Sequence, residues 1–165
     1  MKSDTNTNHI SVSVRLRPAS SPQRSSVTVN EAGALVAKGK TYTYAANVVT
    51  GNDQRRTYEA VAMPLISQLR EGYSCTLLAY GQTGSGKTHT IFGPPGVLTE
   101  ASLAEAGGGV PESWGIFPRT IMDLLGLPGI GTLHASAVEV YQDKAYDLLA
   151  DRAPLAVGSA KQVGR

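Results

Sequence analysis

Residues 81–88 constrain what this chain can fold into more than any other stretch. They read Gly-Gln-Thr-Gly-Ser-Gly-Lys-Thr and follow the spacing G-x-x-x-x-G-K-S/T of a phosphate-binding P-loop. The run before them, residues 75–80, is short and almost wholly apolar, which is typical of a buried parallel strand. A strand that turns through glycines into Lys-Thr is the context that gives this motif meaning. The pattern therefore predicts a site for a nucleoside triphosphate.

The residue types of the motif fit the chemistry of a polyphosphate. Gly84 and Gly86 allow backbone conformations that residues with a Cβ avoid, so successive N–H groups can point inward as an anion-binding nest. Lys87 supplies a point charge for the β- and γ-phosphates, and the Thr88 hydroxyl is suited to bind Mg²⁺. The alternative is a glycine-rich turn that matches by chance. The predicted phosphate-binding residues are Gly81, Gln82, Thr83, Gly84, Ser85, Gly86, Lys87 and Thr88, with Thr88 also the metal ligand.

Composition narrows the class of protein. The chain has 165 residues, 41% hydrophobic and 17% charged, which fits one globular domain. A net charge of +2 is too small to argue for nucleic acid or an anionic membrane as a partner. No apolar run approaches the roughly 20 residues of a membrane span, and the first residues lack an apolar signal core. The single cysteine, Cys75, is compatible with a reducing compartment. We therefore expect a soluble intracellular protein.

Strand and helix patterns alternate along the chain. The first half predicts a period-two strand ended by Pro18, further β regions, and a helix that Asn52 or Asp53 caps, with a kink at Pro64. After the P-loop we expect a short helix at 87–92 and a surface loop or insertion at 97–114. A helix opening at Pro118 should follow over 118–125, then a strand at 135–141 and a turn or helix start at 145–149. This alternation around a P-loop is typical of an α/β fold with a partly parallel sheet.

Several separate stretches together resemble the N-terminal part of a kinesin motor domain. The first strand ends in an R-x-R-P motif at residues 15–18, and the extended P-loop region, 69–90, is similar to the family almost letter for letter. Residues 115–119, 138–141 and 146–149 are similar to later family segments in the same order. The resemblance covers about residues 9–150 and implies a partial motor domain there. Residues 1–8 form a polar lead, and residues 151–165, which are small and polar without periodicity, are expected to form a disordered tail.

The resemblance also implies roles outside the P-loop. In the family, R-x-R-P forms part of the adenine pocket, so Arg15, Arg17 and Pro18 are expected to line the base. The residue after the P-loop threonine packs on the base from the other side, which is His89 in this chain. A guanidinium plane and an imidazole both stack on a flat heterocycle. The alternatives are a solvated strand face for the arginines and a structural role for the histidine. The implied cofactors are ATP and Mg²⁺.

The departures from the family concern catalysis. The chain contains neither N-x-x-S-S-R-S-H, the first kinesin switch, nor D-x-x-G-x-E, the second. The acids that could substitute, Asp123, Asp143 and Asp147, are better explained as caps or surface charges. No catalytic residue is therefore assigned. The expected fold is α/β, with a P-loop NTPase-type mixed sheet flanked by helices, incomplete relative to a full kinesin motor domain.

Three functional hypotheses follow. The first is the N-terminal part of a kinesin-like ATP-dependent microtubule motor, in the cytoplasm and on the cytoskeleton, with microtubules as partner and neither nucleic acid nor membrane. The intact family domain would be an ATPase, whereas this chain alone is not expected to be catalytically competent. The second is a non-motile nucleotide-binding or regulatory module. The third is a small P-loop kinase.

Overall fold

Two compact units make up the chain, an N-terminal unit of residues 1–127 and a C-terminal unit of residues 128–165. The computed structural model describes residues 10–18, 26–44, 48–129 and 131–156. In chain order its strands are β1 (Val14–Leu16), β2 (Val27–Val29), β3 (Leu35–Ala37), β4 (Lys40–Tyr42), β5 (Val48–Thr50), β6 (Val138–Tyr141), β7 (Lys144–Asp147) and β8 (Ala153–Leu155). Its helices are α1 (Gln54–Val61), α2 (Met63–Arg70), α3 (Lys87–Ile91), α4 (Glu100–Glu105) and α5 (Ile116–Leu125).

The N-terminal unit combines parallel and antiparallel pairing. β1 and β5 pair in parallel, with Val14 opposite Val48, and β2, β3 and β4 form an antiparallel sheet. The predicted first strand is confirmed only near its end, because Ile10 is 91% exposed and precedes the pairing. Strand β5 was not predicted, since three residues are too few to show a period. The β regions on either side of residue 33 are confirmed as β2 to β4. The predicted polar lead, 1–8, and residues 19–25 lie outside the described residues.

The segment before the P-loop differs from its prediction. Residues 73–80 form no strand, and Leu78 and Tyr80 are 82% and 96% exposed. The prediction of a buried parallel strand at 75–80 is therefore wrong for this structure. An apolar run encodes a preference for burial, but a strand also needs a neighbour that accepts its backbone hydrogen bonds. None of the described strands pairs with this segment.

Helices α1 and α2 confirm the predicted cap and kink. Asp53 is the N-cap of α1, and its carboxylate accepts a hydrogen bond from the Arg56 backbone N–H at 2.8 Å. The helical path breaks at Ala62, and Pro64 lies in the first turn of α2, where its missing N–H costs least. A small core forms where α1 and α2 meet α5, from the buried side chains of Tyr58, Ala62, Ile66 and Ile116.

Residues 97–114 are more ordered than a surface loop. They contain α4, and the buried Trp114 donates its indole N–H to the Val97 carbonyl at 2.9 Å. The buried Arg119 guanidinium donates to the carbonyls of Trp114 and Pro111 at 2.8 and 2.9 Å. The many small residues of this segment predict a loop. The order comes from two large side chains, Trp114 and Arg119, whose hydrogen bonds to backbone carbonyls hold the segment in place. Helix α5 begins at residue 116, two residues before the predicted Pro118 start.

The C-terminal unit is an antiparallel sheet of β6, β7 and β8. Gln142 and Asp143 join β6 to β7 with φ angles of 48° and 59°, the left-handed pair that a tight hairpin turn requires. The predicted strand at 135–141 is confirmed from Val138 onward. The predicted turn or helix start at 145–149 is confirmed only as a turn at Leu148 and Leu149. It is wrong for residues 145–147, because the hairpin pairs Ala145 with Val140 and makes β7. Strand β8 lies in the predicted disordered tail, whose residues 157–165 are outside the described part.

None of the helices in the described ranges has both the length and the apolar character needed to cross a bilayer.

Replacing Asp53 by alanine should destabilise the N-terminal unit. The substitution leaves the Arg56 N–H without its capping oxygen, a loss that typically costs about 0.5–2 kcal/mol. Urea unfolding followed by circular dichroism measures the change. Asn52→Ala is the matched control, because Asn52 is the neighbouring candidate that does not cap the helix in the structure. An equal loss in both variants would contradict the assignment of Asp53 as the cap.

Candidate nucleotide-binding site

A cavity of about 1040 Å³ lies in the N-terminal unit between β1, the P-loop and helix α3. It brings the two predicted sets of residues together although they are far apart in the chain. The predicted site residues that line it are Arg15, Arg17, Pro18, Gly81, Ser85, Gly86, Lys87 and His89. The other predicted residues, Gln82, Thr83, Gly84 and Thr88, belong to the same loop and helix start but do not line the cavity.

The P-loop backbone has the conformation that its glycines permit. Gly84 and Gly86 have φ angles of 78° and 99°, in the left-handed region. A Cβ at either position would meet no atom within 4 Å, so the need for glycine is conformational and not steric. Gly81 is different, because a Cβ there would lie 2.6 Å from the Ser85 hydroxyl oxygen. The loop thus has the left-handed glycines on which an anion-binding nest depends.

Lys87 begins helix α3 and folds back over the loop. Its ammonium donates to the carbonyl oxygens of Gly81 and Gln82, at 2.8 and 3.0 Å. The lysine therefore braces the P-loop as well as supplying charge to the cavity. Phosphate oxygens are better acceptors than neutral carbonyls for an ammonium, so an anion in the cavity would compete for the same hydrogen atoms. Thr88 follows it in the first turn of α3 and is exposed.

The two arginines of the R-x-R-P motif make different contacts. Arg17 donates to the Gly84 carbonyl at 2.8 Å, which ties the end of β1 to the P-loop. Arg15 is half-buried and donates to Gln54 Oε1 at 2.8 Å and to the Thr90 hydroxyl at 2.9 Å. Burial lowers the pKa of the Arg15 guanidinium, and the Asp53 charge partly offsets this effect. Arg15 is thus partly removed from solvent, whereas Arg17, which follows β1, is exposed.

Two residues that sequence reasoning missed complete this network. Thr90 donates its hydroxyl to the Gly86 carbonyl at 2.9 Å, so Arg15 reaches the P-loop through it. Gln54, only 3% exposed, donates its amide N–H to the His89 carbonyl at 2.6 Å. Gln54 follows the helix cap directly and looks in the sequence like an ordinary polar residue of a first turn. No sequence signal marks Gln54, because its partners Arg15 and His89 are remote in the chain. Thr90 lies within the extended P-loop region, but its contact with Arg15 is 75 residues away in the chain.

His89 lies at the cavity with positive neighbours. Burial lowers the pKa of its imidazole, and the charges of Arg15 and Arg17 lower it further. The neutral ring is therefore the form that the site favours near pH 7. A neutral planar ring at this position is suited to stack on a flat heterocycle.

The acids that the sequence offered as possible metal partners have other roles. Asp123 accepts a hydrogen bond from the Tyr58 hydroxyl, which joins α5 to α1. Asp147 accepts from the Leu149 N–H at 2.8 Å, and Asp143 lies in the β6–β7 turn of the C-terminal unit. The ranges that the structure describes contain no cluster of three or more His, Cys, Asp or Glu residues suited to a metal ion. Thr88 is thus still the candidate metal ligand.

Comparison with known proteins shows that the similarity to kinesins extends over most of the chain and is not confined to the site residues. The family described as "Kinesin motor domain" matches residues 1–164. Kinesin-like protein cut7 of Schizosaccharomyces pombe is 33% identical over 165 residues, covering 88% of this chain and 14% of that protein. Kinesin-like protein Nod of Drosophila melanogaster is 35% identical over 105 residues, covering 58% of this chain and 14% of that protein.

Solved structures show the same relationship. The Drosophila kinesin family member Kin10/NOD, in complex with divalent manganese and ADP, superposes with a TM-score of 0.67 and 26% identity. The match covers 94% of this chain and 53% of that one, so this chain spans about half the length of the solved chain. A fast kinesin gives a TM-score of 0.69 at 23% identity. These likenesses confirm the predicted fold class, α/β with mixed sheets and helices, incomplete relative to the solved chains.

Proposed function

The chain belongs to the kinesin motor domain family, and on this premise we propose that it binds Mg²⁺-ATP as part of an ATP-dependent microtubule motor. The observation that carries the proposal is the single cavity lined by the P-loop, the R-x-R-P residues and His89. The Drosophila NOD structures support the choice of ligand, since one holds divalent manganese and ADP and another AMPPNP. Membership of this family leaves the small P-loop kinase without support.

The residues present fit a magnesium nucleotide. The left-handed glycines Gly84 and Gly86 and the Lys87 ammonium offer donors for phosphate oxygens. Thr88 would share Mg²⁺ with the phosphates, which suits an ion that keeps few protein ligands. When bound, Mg²⁺ neutralises charge between the β- and γ-phosphates. Arg15, Arg17, Pro18 and His89 line the same cavity and would enclose the base.

Hydrolysis and movement are proposed for the intact motor. Phosphoryl transfer to water also needs a group that orients the attacking water, and the two switch patterns of the family are not found in these 165 residues. One NOD structure was docked with bovine tubulin into a map of nucleotide-free NOD complexed to the microtubule. We infer that the whole protein binds microtubules in the cytoplasm in the same way. ATP turnover with and without microtubules separates a motor from a non-motile nucleotide-binding module.

Magnesium dependence tests the proposed role of Thr88. Affinity of the chain for a fluorescent ATP analogue should rise when Mg²⁺ is added. Thr88→Val keeps the shape but removes the hydroxyl ligand, so the apparent Mg²⁺ affinity should fall by at least roughly tenfold, the loss found even for outer-shell partners. Thr28→Val, at an exposed position of β2, is the control and should change nothing. A Thr88→Val chain with unchanged Mg²⁺ dependence would remove Thr88 from the metal site.

A further inference from the structure

The buried amide of Gln54 lies between two residues of the candidate site. Its Oε1 accepts from Arg15 at 2.8 Å, and its Nε2 lies 2.6 Å from the His89 carbonyl oxygen and 3.3 Å from His89 Nδ1. With 3% of its surface exposed, Gln54 has almost no access to water that could replace these partners. A buried amide in this setting must satisfy its hydrogen bonds within the protein.

The contacts fix which way the amide faces. A guanidinium can only donate, so the atom opposite Arg15 must be the carbonyl oxygen of Gln54. The amino group then faces His89, where one N–H is directed to the backbone carbonyl. The second N–H faces the ring nitrogen Nδ1. The orientation of the amide thus follows from Arg15 and needs no assumption about the histidine.

The same contacts select one form of the imidazole. An Nδ1 that carried a proton would place two donors against each other, whereas an unprotonated Nδ1 accepts from the amide. The ring is then neutral, with its proton on Nε2. The α1 residue that faces the ring is the uncharged Gln54 itself.

We propose that Gln54 is a positioning residue of the nucleotide site. Its amide holds His89 as the neutral tautomer with Nδ1 accepting and Nε2 protonated, and so sets the part of the affinity that depends on the base. This inference rests on the proposed function, since it assumes a nucleotide in the cavity. It predicts that Gln54 acts on recognition of the base and leaves recognition of the phosphates unchanged, because the P-loop contacts of Lys87 and Arg17 do not pass through it.

The first test reads the tautomer in the unaltered chain. Nitrogen-15 NMR of labelled histidine distinguishes Nδ1–H, Nε2–H and the doubly protonated ring, and His89→Gln identifies the His89 signals among the three histidines. We expect the Nε2–H form at pH 7. An Nδ1–H or doubly protonated His89 at this pH would overturn the proposal, whether or not any variant folds.

The second test uses Gln54→Glu, which keeps the size and the acceptor for Arg15 but removes both donors to His89. We expect the His89 ring to shift from the Nε2–H tautomer toward the Nδ1–H tautomer, because a carboxylate at position 54 accepts where the amide donated. The charge added by glutamate acts on ATP and on inorganic tripolyphosphate alike, so the readout is the ratio of the two affinities. The affinity for ATP should fall roughly tenfold more than the affinity for tripolyphosphate, the scale of one lost hydrogen bond or stacking contact. Gln68→Glu, the same change at an exposed position of α2, is the control.

The two ligands separate the two possible failures. The positioning role would be overturned if Gln54→Glu lowered the affinities for ATP and for tripolyphosphate by the same factor, or if it lowered neither affinity. If the wild-type chain binds neither ligand, the proposed function fails, and the claim about base affinity fails with it. In that case the tautomer measurement still tests the geometric part of the inference on its own.

Discussion

The Lys87→Ala chain is expected to show no measurable binding of an ATP analogue under conditions in which the wild-type chain is saturated. The ammonium is the charged donor at the mouth of the P-loop, and hydrogen bonds to charged groups contribute about 1.5–3 kcal/mol each. Loss of contacts to two phosphate groups therefore corresponds to a drop of roughly 100-fold or more in affinity. Titration of a fluorescent analogue, followed by equilibrium dialysis, measures the difference.

A second effect of the same substitution has to be separated from the first. Lys87 also donates to the Gly81 and Gln82 carbonyls, so alanine removes a brace from the empty loop. The thermal unfolding of each variant is therefore recorded without nucleotide. Lys144→Ala, at an exposed position of the C-terminal unit, controls for a general loss of positive charge. Equal affinity in the wild-type and Lys87→Ala chains would remove the P-loop assignment.

The Gly115→Ala chain should be markedly less stable than wild type. Gly115 has an ordinary φ of −78°, so its backbone conformation is open to any residue. The obstacle is space, because a Cβ would lie 2.6 Å from the carbonyl atoms of Ile91 and 2.7 Å from the Phe92 nitrogen. These are backbone atoms at the end of α3, and Gly115 itself donates to the Phe92 carbonyl at 3.0 Å. We expect a loss of about 1–3 kcal/mol, the usual cost of overpacking.

Because α3 carries Lys87 and His89, the strain should also reach the cavity. Nucleotide affinity is expected to fall in Gly115→Ala even though residue 115 does not line the cavity. Gly126→Ala is the matched control, since a Cβ there would be at an ordinary 3.5 Å from its nearest neighbours. Urea unfolding and analogue titration on the two variants give both readouts. Similar stability of the two alanine variants would show that α3 and α5 are free to move apart.

Local chemistry explains most of what was correctly predicted. The left-handed φ angles at Gly84 and Gly86 belong to single residues, and glycine tolerates them in any environment. The Asp53 cap and the break near Pro64 likewise depend on neighbours within one turn of helix. The short helix α3 ends before Gly93 for the same kind of reason, since Gly93 has a φ of 111°. Each of these features is determined by a local stretch of four to eight residues.

The errors have the opposite cause. Residues 75–80 have the composition of a buried strand, but a composition cannot supply the neighbouring strand that would pair with them. The sequence of residues 145–147 predicts a turn or helix start, whereas the hairpin at Gln142 and Asp143 pairs them with β6 and makes them part of β7. In both cases the structure depends on whether another strand lies beside the segment, and the residues of the segment alone do not determine this.

The sequence by itself determined the P-loop motif, the glycines that its conformation needs, a helix cap at Asn52 or Asp53, and the resemblance that led to the kinesin motor domain family. Only the tertiary structure decided that Arg15 meets Gln54, 39 residues away, and that Gln54 meets His89, 35 residues away. The physical reason is that a backbone angle is fixed by one residue and its neighbours, whereas a buried hydrogen bond between remote residues is fixed by the packing that brings them together. The half of the candidate site that we propose to bind phosphate is of the first kind, and the placement of His89, the residue proposed to face the base, is of the second.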